Sequence, residues 1–315
     1  MLDADTRAAL RRLRRKLTFW RVAAVTAFIA AVAGIFWAES PAGHGDHIAR
    51  VWISGLITGE QRKIDLLDDL AKSKKVKALI LRINSPGGTT VGSEALFDAI
   101  RRVAKKKPVV AVMDSVAASG GYIAALGADR IYARGNTITG SIGVIFQWAQ
   151  VRGLLDKIGV KMQTIKSAPL KAEPNPFSEL TPEVRKVTQE LVRDSYDWFV
   201  DLVAKRRKMG REKALKLADG RVYSGRQAVK NGIIDALGDE RAARDWLVKK
   251  KGLPGKLKVI EHKPKSLARE WGFGFSLARA GLRLLGLAAP GGRPAMSAPE
   301  AMALDGLVSI WHPVR

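Results

Sequence analysis

Between residues 48 and 262 short apolar runs alternate with longer amphipathic stretches. Residues 76–83 (VKALILRI) and 108–113 (PVVAVM) are nearly continuous apolar runs, the pattern of strands buried on both faces. A further strand begins over 51–53. Residues 60–72 and about 93–105 space their apolar positions three and four apart, as helices that cover a sheet do. A long helix is predicted over 181–209, ending in Lys205, Arg206, Arg207 and Lys208, and another over 240–250. Residues 161–165, 233–235 and 257–260 read as later strands. Strand–helix alternation of this kind predicts an α/β domain with a mostly parallel, helix-covered sheet. There is no internal repeat.

Three glycine-rich segments follow the apolar runs. They are Asn84-Ser85-Pro86-Gly87-Gly88, Ala118-Ser119-Gly120-Gly121 and Thr139-Gly140-Ser141-Ile142-Gly143. Each is expected to be a sharp turn, where glycine lets the backbone approach a ligand and aim amides at it. Ser119 is expected where a strand passes into a helix, a place that favours a developing oxyanion. Serine is also a preferred helix N-cap, and by position alone capping is its commoner role.

The first sixteen residues hold Arg7, Arg11, Arg12, Arg14, Arg15 and Lys16 against Asp3 and Asp5. Residues 17–38 are then apolar except for Thr18, Arg21 and Thr26. At 1.5 Å per residue that run reaches about 33 Å, enough to cross a bilayer core of about 30 Å. The preceding arginines keep the N-terminus cytoplasmic. Ala38-Glu39-Ser40 also has the small residues of a cleavage site, but Pro41 would follow the cut, so an uncleaved anchor is expected. The organisation is a basic segment (1–16), a transmembrane anchor (17–38), a linker (39–47), a domain (48–262) and a tail (263–315). Within the tail, residues 266–287 mix apolar positions with Arg269, Arg279 and Arg283, an amphipathic helix expected to lie on a membrane surface, to pack on a neighbouring subunit or simply to dock. In a bacterium the domain would face the periplasm or the exterior.

Lys and Arg outnumber Asp and Glu by 54 to 30, a formal charge of +24. The basic residues are scattered, with no aromatic-interleaved motif, so an anionic membrane surface explains them better than nucleic acid. Cysteine is absent, which removes thiolate catalysis and Cys-ligated zinc. The four histidines are His44, His47, His262 and His312. None lies between 48 and 261, so a Ser–His–Asp triad or an HExxH zinc site inside that central region is excluded. Neither metal nor cofactor is expected. A hydrolytic base there has to be Lys, Asp, Glu or Tyr. Lys166 and Lys171 lie in a Pro-punctuated loop ahead of the long helix. A lysine serves as base only when its surroundings bring its pKa down from about 10.4, and pattern alone does not choose between these two.

The runs Arg82-Ile83-Asn84-Ser85-Pro86-Gly87-Gly88, Ala117-Ala118-Ser119-Gly120-Gly121-Tyr122 and Thr139-Gly140-Ser141-Ile142-Gly143-Val144 resemble the signal peptide peptidase A family. So do Gly220-Arg221-Val222-Tyr223-Ser224-Gly225-Arg226-Gln227-Ala228 and Gly232-Ile233-Ile234-Asp235. The resemblance covers about residues 48–262 and, with the anchor, matches the short single-repeat members. It implies a Clp-protease/crotonase-like fold and a Ser–Lys dyad that degrades signal-peptide remnants at the membrane. On this chain the nucleophile falls on Ser119, the base on Lys171 and a supporting hydroxyl on Ser141. Oxyanion amides fall on Gly87 or Gly88 and on Gly120. The resemblance also implies a homo-oligomer in which catalytic residues meet at subunit boundaries. Two other readings stand beside it. A crotonase-like acyl-CoA enzyme is disfavoured because an exported domain would not meet CoA. A catalytically silent membrane-tethered scaffold would make Ser119 only a cap.

Overall fold

The structure, a computed structural model, describes residues 15–23, 26, 45–264 and the backbone of 307–310. The chain divides into two compact units, Met1–Gly45 and Asp46–Arg315. In the first, residues 15–23 are helical and expose Leu17, Phe19, Trp20 and Val22. Among the described residues no helix is long and apolar enough to cross a membrane. Most of the anchor expected over 17–38, and the amphipathic stretch at 266–287, lie outside the described residues.

The second unit is mixed α/β. Its strands are β1 (His47–Ile57), β2 (Val76–Thr89), β3 (Val109–Ala118), β4 (Arg130–Ala133), β5 (Ile138–Gly140), β6 (Ile145–Phe146), β7 (Val222–Ser224), β8 (Ala236–Leu237), β9 (Lys258–Glu261) and β10 (Leu307–Ile310). Its helices are α1 (Gln61–Lys72), α2 (Thr90–Ala104), α3 (Gly120–Leu126), α4 (Arg152–Lys157), α5 (Pro182–Arg207), α6 (Arg211–Leu217), α7 (Gly225–Asn231) and α8 (Glu240–Lys251). The sheet runs β6-β10-β2-β3-β4-β8, with β1 also on β2 and β5 also on β3. It is mostly parallel. Only the pairings of β10 with β2 and β6, and of β5 with β7, are antiparallel.

Strand β2 explains why its sequence is continuously apolar. Leu79, Leu81 and Ile83 point into the core shared with α2 and α3, where Leu96, Ile100 and Ile123 meet them. Ala78 and Ile80 point the opposite way, toward Ala243 and Leu247 of α8. Side chains alternate along a strand, so a strand covered on both faces needs apolar residues at every step. Burying each large aliphatic side chain stabilises the fold by roughly 1.5–3 kcal/mol. Helix α2 begins at Thr89, whose hydroxyl accepts from the Gly92 amide at 3.0 Å. It then buries Leu96, Ala99, Ile100 and Val103, the spacing of one helical face.

One of the expected turns is extended chain instead, and so is the segment that leads into Ser119. β2 continues through Pro86-Gly87-Gly88 to Thr89, and β3 through Asp114–Ala118. The strands bend at a bulge: Ile83 pairs with Met113, but Ser85 pairs with Ala117. The Asn84 side chain accepts from the Val116 amide there, at 3.2 Å. An ion pair between Arg82 and Asp114 flanks the bulge, and Arg82 also reaches Glu240 at 3.1 Å. Past the bend β3 leaves β4 and pairs with β5. Gly and Pro do punctuate the chain, but a neighbouring strand satisfies the backbone groups that a turn would have had to satisfy locally.

The strand expected at 161–165 is irregular and exposed, with no neighbouring strand. Residues 233–235 lead into β8 rather than forming a strand. The short elements β4 to β7, α4, α6 and α7 are too brief for hydrophobic periodicity to reveal.

Candidate active site

β3 passes into α3 through a single residue, Ser119, with φ 55° and ψ −119°. Its side chain makes no capping hydrogen bond to the helix, and it is only 1% exposed. A non-glycine residue with positive φ costs about 1–3 kcal/mol and persists only where its surroundings impose it. Here they do. The Ser119 amide donates to the Gly140 carbonyl at 2.8 Å, and the Ser119 carbonyl accepts from the Tyr122 and Ile123 amides at 2.9 Å. This is the strand–serine–helix elbow that presents a hydroxyl at the top of a sheet in many hydrolases.

Two glycines let the elbow press onto the end of β2. A Cβ on Gly121 would stand 2.7 Å from the Ser85 carbonyl oxygen. One on Gly120 would stand 2.3 Å from Ser93 Oγ, 3.1 Å from the Gly88 amide nitrogen and 3.2 Å from Gly87 Cα. Gly87, Gly88 and Gly120 are therefore packed together beside Ser119. The Pro-Gly-Gly segment is held from below by Ser85, whose hydroxyl donates to the Gly55 carbonyl at 2.7 Å and accepts from the Gly87 amide at 3.1 Å. Buried Ser93 donates to the Thr89 carbonyl at 2.8 Å. Neither Ser85 nor Ser93 stands out by sequence as a support, because nothing local signals contact with a glycine some 30 residues away.

Ser141 follows Gly140 directly and is 8% exposed, also with positive φ (51°). Its amide donates to the Arg221 carbonyl at 2.8 Å, which ties this turn to β7. Among the described residues four non-glycines have positive φ: Ser119, Ser141, Ala172 and Lys208. Three of them fall in segments carrying sequence-derived site residues, since Ala172 adjoins Lys171. Backbone strain of this sort gathers where function over-determines geometry.

The loop from 158 to 180 separates Lys166 from Lys171. Lys166 forms an ion pair with Glu173, whose side chain is 9% exposed. Ser178 Oγ donates to both Glu173 oxygens at 2.9 Å. The hydrogen bond from Lys166, then that from Ser178, hold the Glu173 carboxyl below its ordinary range against the opposing effect of burial. Lys171 is exposed, and its ammonium joins no ion pair or side-chain hydrogen bond among the described residues. Ser119, Gly87, Gly88, Gly120 and the turn of Ser141 thus come together within one chain, and Lys171 lies exposed in the neighbouring loop with no hydrogen bond to them among the described residues.

Other bases can be weighed on position. Tyr122 is three residues from Ser119, but its hydroxyl donates to the Ile233 carbonyl at 2.7 Å, and burial pushes it well above its ordinary value. Burial pushes the Lys107 ammonium down, yet it donates to the Leu70, Ser73 and Val76 carbonyls at the opposite end of β3. Beyond Ser141 an open groove of about 1370 Å³ runs past Val144, Phe146, Trp148, Val192 and Tyr196.

A mostly parallel α/β sheet with a buried serine in a strained elbow, faced by glycine backbone, has the build of a serine hydrolase. Comparison with known proteins takes this further. Residues 101–254 match the profile of peptidase family S49. A provisionally named protease from Synechocystis sp. is 41% identical over 226 residues, covering 70% of this chain and 81% of that protein. A provisionally named signal peptide peptidase SppA from Enterococcus faecium is 41% identical over 204 residues, 64% of this chain and 59% of that protein. The chloroplastic serine protease SPPA of Arabidopsis thaliana is 37% identical over 203 residues, 63% of this chain but 30% of that protein. This chain belongs to peptidase family S49, the signal peptide peptidase A family.

Proposed function

We propose that the protein is a serine endopeptidase with a Ser119–Lys171 dyad, anchored in a bacterial inner membrane with its domain on the exported side. The family's Clp-protease/crotonase-like architecture fits the bent parallel sheet described above. The observation that carries the reading is the Ser119 elbow: a buried hydroxyl withheld from capping, at a backbone angle only a specific role justifies. A silent scaffold would have no reason to keep that strain.

In the proposed reaction neutral Lys171 takes the proton from Ser119 Oγ as the oxygen attacks the scissile carbonyl. The amides of Gly120 and Gly88 receive the oxyanion, the Gly87 amide being taken up by the Ser85 hydroxyl. The lysine then gives its proton to the leaving amine, and water releases the acyl group by the same route reversed. Ser141 orients the lysine. Within the loop, Lys171 suits this role better than Lys166, because the Lys166 ammonium is already engaged by the Glu173 carboxylate. Lys171 is exposed, and in the homo-oligomer the loop of a neighbouring copy completes the dyad. Substrates are peptides left in the membrane, including signal-peptide remnants; the positive charge holds the domain near anionic lipid.

The test is labelling of the detergent-solubilised protein with a fluorophosphonate, beside Ser119→Ala. Wild type should label and the variant should not. Equal labelling of both, or none in either alongside no peptide hydrolysis, would remove the assignment.

A further inference from the structure

Strands β1, β2, β3, β4 and β9 are parallel, so all of them start at one end of the sheet. Helices α1, α2 and α8 run back to that end, and lysines crowd the returns. Lys72-Ser73-Lys74-Lys75-Val76-Lys77 leads into β2 and Lys105-Lys106-Lys107 into β3. Lys249-Lys250-Lys251, Lys256 and Lys258 lead into β9. The fold joins these runs. Lys107 Nζ donates to the Ser73 and Val76 carbonyls at 2.7 and 2.9 Å, and the His47 amide donates to the Lys75 carbonyl at 3.0 Å. His47 also stands opposite Lys258 in the pairing of β1 with β9. Burial first, then the charges of Lys106 and Lys77, push the Lys107 ammonium down. Apart from Lys77 and Lys107, these lysines are exposed.

The carboxylates nearby are mostly engaged by other cations. Asp46, Asp68 and Asp129 pair with Lys77, Arg102 and Arg101 at 3.2, 2.8 and 3.4 Å, and Asp69 adds one more negative charge. Basic residues in the last turn of a helix complement its dipole, which accounts for Lys72 and for 249–251. It does not account for Lys74, Lys75, Lys105, Lys106, Lys256 and Lys258, which lie in loops or at the start of a strand. The segments that build the opposite end, around Ser119, differ: residues 51–61, 83–100 and 113–122 hold no Lys or Arg. Ten-residue β3 separates the two ends by roughly 30 Å.

We propose that the lysine-rich end of the sheet docks on anionic phospholipid and holds Ser119 at the far end of the domain, away from the headgroups. The inference rests on the membrane-anchored reading of the chain, not on the Ser119–Lys171 dyad. The domain's chain enters at this same end, at His47, and residues 39–46 reach no more than roughly 28 Å from the proposed anchor. A basic residue at an anionic surface raises occupancy roughly fivefold, so a few of these lysines suffice to fix the orientation. A membrane peptide is then cut only where about nine or more extended residues have left the bilayer.

The chain has no cysteine, so an introduced thiol carries a single fluorophore. Gly255→Cys marks the lysine end, where an added Cβ meets nothing closer than 4.0 Å. Val91→Cys, 65% exposed in the first turn of α2, marks the serine end. Each full-length protein is reconstituted in vesicles of phosphatidylcholine, with or without phosphatidylglycerol, carrying an energy-transfer acceptor on the headgroups. With phosphatidylglycerol, transfer from Gly255→Cys should rise roughly twofold and fall back in about 1 M salt, where the Debye length is about 3 Å. Transfer from Val91→Cys should not rise. Lys74→Glu, Lys105→Glu and Lys250→Glu together should abolish the rise, and arginine at the same three positions should keep it. Equal transfer from Gly255→Cys in both lipids, a larger rise from Val91→Cys, or a rise that survives the glutamates overturns the proposal. Flotation separates it from the anchor. A chain that floats with both lipids but shows no lipid-dependent transfer keeps its anchor and loses the docking face. One that floats only with phosphatidylglycerol loses the anchor and keeps the face.

Discussion

The amide of Ser119 donates to the carbonyl of Gly140 at 2.8 Å, so the elbow and the turn that starts Ser141 are fastened to each other. The bond explains how two segments 20 residues apart in sequence can form one site. β3 bends away from β4 onto β5, and the last link of that pairing holds the serine at its strained angle.

Strain at Ser119 predicts a difference between two inactive variants. Ser119→Ala and Ser119→Gly both lose the hydroxyl and should both lose fluorophosphonate labelling and turnover. Glycine tolerates positive φ, whereas alanine keeps the steric cost. Urea unfolding should therefore find Ser119→Gly more stable than Ser119→Ala by about 1 kcal/mol. Equal stabilities would show that the elbow stores no strain.

Gly120 tests the approach of the elbow to β2. A methyl group there meets Ser93 Oγ at 2.3 Å and the Gly88 nitrogen at 3.1 Å. Gly120→Ala should lower kcat/KM by about 10²-fold, the typical effect of losing one oxyanion donor. Adding Ser93→Ala removes the closer contact but not the one to β2, so the double variant should recover only part of the loss. Full recovery would mean that the Gly88 backbone is not involved.

The two loop lysines should separate cleanly. Lys171→Ala should abolish peptide hydrolysis, and Lys166→Ala should leave much of it. Measurement of kcat/KM for both decides this, and the opposite ranking would reassign the base. Lys166→Ala should instead loosen the loop, because the mostly buried Glu173 carboxylate loses its partner.

Glu173 also gives the loop a pH dependence. Its folded pKa lies below the ordinary value of about 4.3. The stabilisation is therefore full above the ordinary value and is lost as pH falls through the depressed one. Proteolytic nicking in the 158–180 loop should stay slow down to about pH 4 and rise below it. An acid-active protease provides the assay, and Glu173→Gln should remove the transition.

The proposed completion of the dyad between copies predicts complementation. Mixed Ser119→Ala and Lys171→Ala proteins, allowed to exchange subunits, should recover measurable hydrolysis that neither has alone. A fully active wild-type monomer on a native sizing column, with no rescue in the mixture, would place the dyad within one chain.

The apolar runs at 76–83 and 108–113, the amphipathic helices between them and the missing histidines are local facts, and they were enough for a mixed α/β domain with a non-histidine base. Ser119 could be singled out as well, since a serine between an apolar run and a Gly-Gly pair has few roles. Whether it caps a helix or stands free of it depends on one backbone angle, and that angle comes from contacts with Gly140, Ser85 and Ser93. Residues 84–88 look like a turn because Gly, Pro and Asn usually end strands. Only pairing with distant strands keeps them extended. Lys166 and Lys171 are equivalent by pattern, and the partner that distinguishes them, Glu173, acts only through the fold of the loop. The tail shows the same division. Leu307–Ile310 is a brief apolar stretch with no periodicity to read, and it becomes a strand because the edges of β2 and β6 are there to bond it. Composition and short-range pattern follow from covalent neighbours; partner choice follows from which unpaired backbone and charged groups the finished sheet brings within reach.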